Sequence, residues 1–177
     1  YALEMLLAVL SGGDSARLSR DLVRGERIAT AIDADYSAYT RLPGMFTLDA
    51  IPAPGRSLPE LEVAMLRQIE KLKTEPVSQE ELERVRAQTK AARVYEQDSV
   101  HYQAMQIGLL ETIGLDWTYV DRHVAALERV TPEQVLAVAR KYLNEDNMTV
   151  AVLDPLPIES GEKMMRTALE MDHGHIR

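Results

Sequence analysis

Residues 10–54 read LSGGDSARLSRDLVRGERIATAIDADYSAYTRLPGMFTLDAIPAP, and the order of signals in this stretch decides the fold. Leu3, Leu6, Leu7 and Leu10 fall at i, i+3, i+4 and i+7, the stripe of an amphipathic helix. Gly12-Gly13 can end that helix, because glycine tolerates the backbone of a helix C-terminus. Asp14 is then placed to cap a second helix that carries Leu18 and Leu22 and ends near Gly25. From Ile28 the period changes to two: Ile28, Ile32, Ala34 and Tyr36 are apolar, while Asp33, Asp35 and Ser37 lie between them. After Pro43-Gly44 the alternation returns, with Phe46 and Leu48 opposite Thr47 and Asp49. Two half-buried strands with a short link predict an antiparallel pair. One face of the pair should pack on helices, and the other should meet water or a cavity.

Downstream the pattern is helical. Ser57-Leu58-Pro59-Glu60 is a capping box with proline in the first turn, followed by Leu61, Met65, Ile69 and Leu72 along one side. Pro76 stops this helix, and Ser78-Gln79-Glu80-Glu81 starts another that runs toward Tyr95. Further helices are expected over 99–113 and 116–127. Thr131-Pro132-Glu133-Gln134 opens a last one carrying Val135, Val138, Ala139 and Leu143. Residues 148–153 read as a short apolar strand that Pro155 ends. The order of elements predicts an α+β domain over residues 1–155, an antiparallel sheet with one face covered by helices. Residues 156–177 are read as a tail, either a peripheral helix over 163–171 or a disordered end. Because the sequence starts at Tyr1, already inside a helical pattern, it is expected to be a piece of a longer protein.

Composition narrows the function classes. A chain of 177 residues, 46% apolar and 27% charged, supports one globular core. Its apolar runs fall short of the roughly 20 residues that span a bilayer, so membrane insertion is not expected. The formal net charge of −8 at pH 7 disfavours nucleic acid and anionic lipid surfaces, both of which need a cationic face. Cysteine is absent, which removes thiol catalysis, disulfides and thiolate metal sites together.

The residues capable of chemistry are few. A helical zinc site of the protease kind needs two histidines on one helix face and a glutamate to activate water. Neither H-E-x-x-H nor H-x-x-E-H occurs, and His101 and His123 stand on separate helices with no partner four residues away. Each is read as a structural or surface histidine. His173-Gly174-His175 could chelate a stray metal but reads as part of the tail. Asp33, Asp35 and Asp49 share a strand face, which fits either a carboxylate metal site or a solvated surface. Ser11-Gly12-Gly13-Asp14 lacks the lysine of a phosphate loop and reads as a structural turn.

The segment LSGGDSARLSRDLVRGERIATAIDADY, followed by PGMFTLDAIPAPG, KLKTEPVSQEELERVRAQ and LERVTPEQVLAVARKYLNEDNMTVAVLDP, resembles the pitrilysin/insulinase family of inverted-motif zinc metallopeptidases. The resemblance runs from Tyr1 to about Pro155 and points to the C-terminal-type, non-zinc domain of a processing-peptidase-like protein, with its opening strand lacking. It implies a homologous zinc-bearing partner domain on the same or a companion chain, an unfolded peptide held between the two, and no zinc in this fragment. It also implies the periplasm as compartment, with the cytoplasm left open. Members of the family lend the active site an Arg and, seven residues later, a Tyr. Arg24 falls on the Arg position as a substrate-binding candidate, while the Tyr position holds Ala31. An exposed Arg near a helix C-terminus also gains from the macrodipole without any substrate.

The leading expectation is therefore a catalytically inactive domain of a zinc metalloendopeptidase that helps to enclose the peptide chamber. A non-proteolytic structural subunit and a peptide-binding module of the same fold are the rivals.

Overall fold

The computed structural model describes residues 1–154; the expected tail, with its helix over 163–171, His173 and His175, lies outside the described residues. Helix α1, Ala2–Ser11, is the centre of the core. It buries Met5, Leu6, Val9 and Leu10, with Leu3 and Leu7 only half-buried, so the buried face is turned from the expected stripe. The helix is apolar almost all round, and in such a helix spacing alone does not select the inner face; the elements packed against it do. Gly12 ends it by donating its N–H to the Ala8 carbonyl at 2.9 Å. A Cβ at Gly12 would stand 2.2 Å from that carbonyl oxygen, so the turn has room for no side chain there.

The second helix differs from its expectation. Asp14 lies in a turn instead of capping, and residues Ser19–Gly25 form a π-helix closed by the bond from Glu26 N–H to the Asp21 carbonyl at 2.7 Å. Leu18 and Leu22 remain fully buried. A π turn is wider than an α turn by one residue, a difference that apolar spacing over seven residues does not report.

Strands β1, Ala29–Tyr36, and β2, Phe46–Pro52, pair antiparallel as expected. The register sets Asp33 opposite Asp49, Ala34 opposite Leu48 and Tyr36 opposite Phe46, with an irregularity between Ala29 and Ala31. Ile32, Ala34, Leu48 and Ala50 pack into the core, β1 against α1 and the π-helix and β2 against α2. Ala31, Asp33, Asp35, Asp49 and Ile51 face outward.

The remaining elements are helices: α2 Leu58–Thr74, α3 Gln79–Gln97, α4 Val100–Thr112, α5 Tyr119–Leu127 and α6 Pro132–Tyr142. The capping boxes at Ser57 and Thr131 form in full, each side chain accepting a backbone N–H three residues on and receiving the reciprocal bond. Ser78 makes only half of its box, because the Glu81 carboxylate turns to Arg17. Helix α6 closes the core against α1 and α2, and Arg140 donates to the Lys73 carbonyl at 2.7 Å. Residues 148–153 are not a strand: they make no ladder among the described residues, and Val150, Val152 and Leu153 are exposed. Alternating apolar residues report a chain able to lie on a sheet, and do not supply the neighbour it must pair with. Among the described residues no helix is long and apolar enough to cross a membrane.

Candidate functional site

The π-helix carries the one residue singled out from sequence for substrate contact. Arg24 stands in its last turn, exposed, and its guanidinium donates to the Asp14 carbonyl in the turn after α1. Ala31 lies on the outer face of β1 opposite Ile51, also exposed. The guanidinium has five N–H donors in a fixed fork, so the Asp14 contact leaves donors free to hold a peptide carbonyl or carboxylate. Ala31 brings no hydroxyl to share that task.

Beside these residues the outer ribbon face is acidic. Asp33 and Asp49 are directly opposed across the strands, with Asp35 one step along the same face. Like charges so placed repel, and the Ser11 hydroxyl answers part of that repulsion by donating to Asp33 Oδ1. The same hydroxyl accepts the Ala34 N–H at 3.2 Å and so ties the end of α1 to β1. Among the described residues no three His, Cys, Asp or Glu side chains come together in a group that could hold a metal ion.

The described histidines do not fit a zinc site. His101 is exposed on α4. His123, on α5, is buried to 1% exposure, and its Nε2 stands 2.9 Å from Glu4 Oε1 of α1. Three tyrosines wall the imidazole: Tyr1 at 5.1 Å, Tyr39 at 5.3 Å and Tyr119 at 5.6 Å between ring centroids. Burial pushes the Tyr39 hydroxyl up to about 12, and burial, with the neighbouring Tyr1, pushes Tyr119 up as well. His123 Nδ1 and Glu4 Oε2 are buried without a hydrogen-bond partner. A water-sized cleft lined by Tyr39, Arg93, Glu96, Gln106 and His123 adjoins the cluster.

No spacing in the sequence signals this cluster. Glu4 and His123 are 119 residues apart, and Tyr39 lies between two strands. The reading of His123 as a structural or surface histidine contains the observed outcome as one of its two alternatives and says nothing of the cluster. Nor does any spacing signal the half-buried pair that links the start of the second helical segment to α3. Arg17 Nε and Nη2 bind Glu81 Oε1 and Oε2 at 3.0 and 2.7 Å, and Arg84 donates to the Ser15 carbonyl at 3.2 Å.

Comparison with known proteins gives one family and a consistent fold. The family profile described as peptidase M16 inactive domain matches residues 1–89, half of the chain. Among curated proteins nothing matches. A protease from Helicobacter pylori is similar at 20% identity and a TM-score of 0.72, over 82% of this chain and 35% of that one. This chain thus spans about a third of that protease. A candidate zinc protease from Bordetella pertussis Tohama I is similar at 23% identity and a TM-score of 0.70, over 82% of this chain and 79% of that one. The inactive peptidase domain of a candidate zinc protease from Bordetella parapertussis is similar at 22% identity and a TM-score of 0.74, over 89% and 85% of the two chains. At these identities the likenesses show the fold: α+β, with an antiparallel ribbon backed by helices.

Proposed function

The chain belongs to the peptidase M16 inactive-domain family, and from that premise we propose that it is the non-catalytic half of a zinc metalloendopeptidase. In this reading the zinc sits on a homologous companion domain, on the same or a companion chain. The present domain supplies one wall of the chamber that holds an unfolded peptide. The match of an inactive peptidase domain over residues 1–89 carries the proposal. The lack of H-x-x-E-H in the sequence is consistent with it.

Within that wall, Arg24 is the substrate-contacting group we propose, holding a backbone carbonyl of the peptide through guanidinium donors left free by Asp14. With Ala31 at the tyrosine position, any stabilisation of a developing oxyanion has to come from elsewhere. The domain is therefore assigned to holding peptide, with the bond-breaking step on the companion. The acidic outer face of β1 and β2 favours a second reading, a peptide-binding module drawn to basic segments. The periplasm is the compartment we propose, to be checked by fractionating cells that express the native protein.

The test is zinc content and peptide hydrolysis of this chain alone and together with a zinc-bearing family domain from the same genome. Expected are no stoichiometric zinc and no hydrolysis alone, with hydrolysis on mixing that falls in the Arg24→Ala variant. Stoichiometric zinc with hydrolysis by the chain alone overturns the proposal. For the second reading, an unstructured cationic peptide should bind more weakly once Asp33, Asp35 and Asp49 are changed to Asn.

A further inference from the structure

Of the nine residues between β1 and β2, only Ala38 and Tyr39 are half-buried, and the rest are exposed. Residues 40–45 are all exposed, and the tip carries Leu42 at 75% and Met45 at 77% exposure. The hydrogen bond the segment makes is internal, from the Thr40 hydroxyl to the Leu42 carbonyl at 2.7 Å. Among the described residues no hydrogen bond joins residues 37–45 to any helix. The large side chain that ties the segment to the helices is the ring of Tyr39, half-buried, 5.3 Å from the His123 imidazole and edge-on to Tyr119 at 6.0 Å. The same ring lines the cleft shared by His123, Arg93 and Glu96. Beneath it lie a buried imidazole whose Nδ1 has no hydrogen-bond partner and the half-buried Glu4 carboxylate, whose Oε2 has no hydrogen bond and stands 3.7 Å from the Tyr1 ammonium.

We infer that residues 37–45 form a strap whose aromatic anchor is Tyr39, and that withdrawal of this ring opens the Glu4–His123 cluster and its cleft to solvent. Packing of one aromatic ring is a weak tether compared with a strand ladder or a buried core. Local opening therefore takes place in the folded protein, well below the free energy of global unfolding. The closed state depends on the ring and not on its hydroxyl, because burial keeps that hydroxyl neutral and the structure gives it no hydrogen-bond partner. The inference stands on this geometry alone and does not depend on the proposed peptidase role.

Two probes read the opening in the full chain. Diethyl pyrocarbonate labels accessible imidazoles, with exposed His101 as the internal reference for buried His123. Trypsin cuts after Arg41, within the strap. In the wild-type protein His123 is expected to be labelled far more slowly than His101, at a rate nearly independent of low urea. Labelling through local opening exposes little surface, whereas a global route steepens with denaturant. Tyr39→Phe should behave as wild type, and Tyr39→Ala should raise both His123 labelling and Arg41 cleavage about tenfold, with a cooperative melt retained. The inference is overturned if His123 labels as fast as His101 in the wild type, if its labelling climbs with urea in step with global unfolding, or if Tyr39→Ala leaves both rates unchanged. The urea series on the wild type keeps the test decisive should Tyr39→Ala not fold.

Discussion

Arg27 bears the backbone cost of leaving the π-helix: its φ is 51°, the left-handed region that glycine enters freely and an L side chain does not. The glycine two residues earlier has a different task. Gly25 keeps an ordinary backbone, but a Cβ there would stand 3.1 Å from the Arg20 carbonyl oxygen, in the closed wall of the wide turn. Arg27→Gly should therefore stabilise the protein by about 0.5–1 kcal/mol, and Gly25→Ala should destabilise it, both read from urea midpoints. A loss of stability in Arg27→Gly would mean that the arginine side chain contributes more than its backbone costs. Glu4 poses a polar version of the same accounting. Its removal leaves the buried His123 with neither nitrogen partnered, which costs about 1–3 kcal/mol. Glu4→Gln keeps a hydrogen-bonding group at the same reach, so Glu4→Ala should lie well below Glu4→Gln in thermal stability.

Elements whose signals are local were legible in the sequence, and those chosen by their neighbours were not. The starts of α2, α3 and α6 were readable because a capping box satisfies backbone N–H groups within four residues. The alternation from Ile28 to Ile51 likewise placed both strands and the acidic outer face. The buried face of α1, the π form of the second helix and the unpaired state of residues 148–153 depend on packing at long range, which spacing does not encode. The cap at Ser78 shows both kinds at once. Its signal is the same as at Ser57, yet Glu81 is spent on a two-pronged bond to Arg17, both side chains only 12% exposed, tying the turn before the π-helix to α3. Glu81→Ala should consequently cost about 1.5–3 kcal/mol, the range for a hydrogen bond to a charged group. Arg17→Lys should recover little of it, because a lysine ammonium does not reproduce the fork. In Ser57→Ala, where only the local cap is lost, the expected cost is about 1 kcal/mol. Thermal melts of the three variants separate the tertiary use of the motif from its local use.

At the scale of the whole molecule, the titrating groups set limits to stability on both sides of neutrality. Asp21 is held below the usual carboxylate range by its hydrogen bond with Arg20, Glu60 by the Ser57 backbone and hydroxyl, Asp116 by Thr118 and Glu128 by Lys90. A carboxyl lowered in the folded state favours folding above its unfolded value and loses that contribution as pH falls through the lowered one. These contributions are therefore intact above about pH 4 and vanish below it. Glu60, Asp116 and Glu128 are solvent-exposed, so the acid limb is shallow and flattens further with added salt. The alkaline limb has another origin. Tyr39 and Tyr119 are raised by burial, so the folded state retains their protons where the unfolded chain has lost them, and stability falls as pH climbs from about 10 toward 12. Urea midpoints measured from pH 3 to 11 should show a plateau between roughly 5 and 9, bounded by these two limbs. Tyr39→Phe assigns the upper one: it keeps the ring that holds the strap and deletes the titrating hydroxyl. Its midpoint should match the wild type at neutral pH and fall less steeply above pH 10. An alkaline limb of unchanged slope in Tyr39→Phe would remove Tyr39 from its cause, and with it the claim that this hydroxyl is buried whenever the strap is closed.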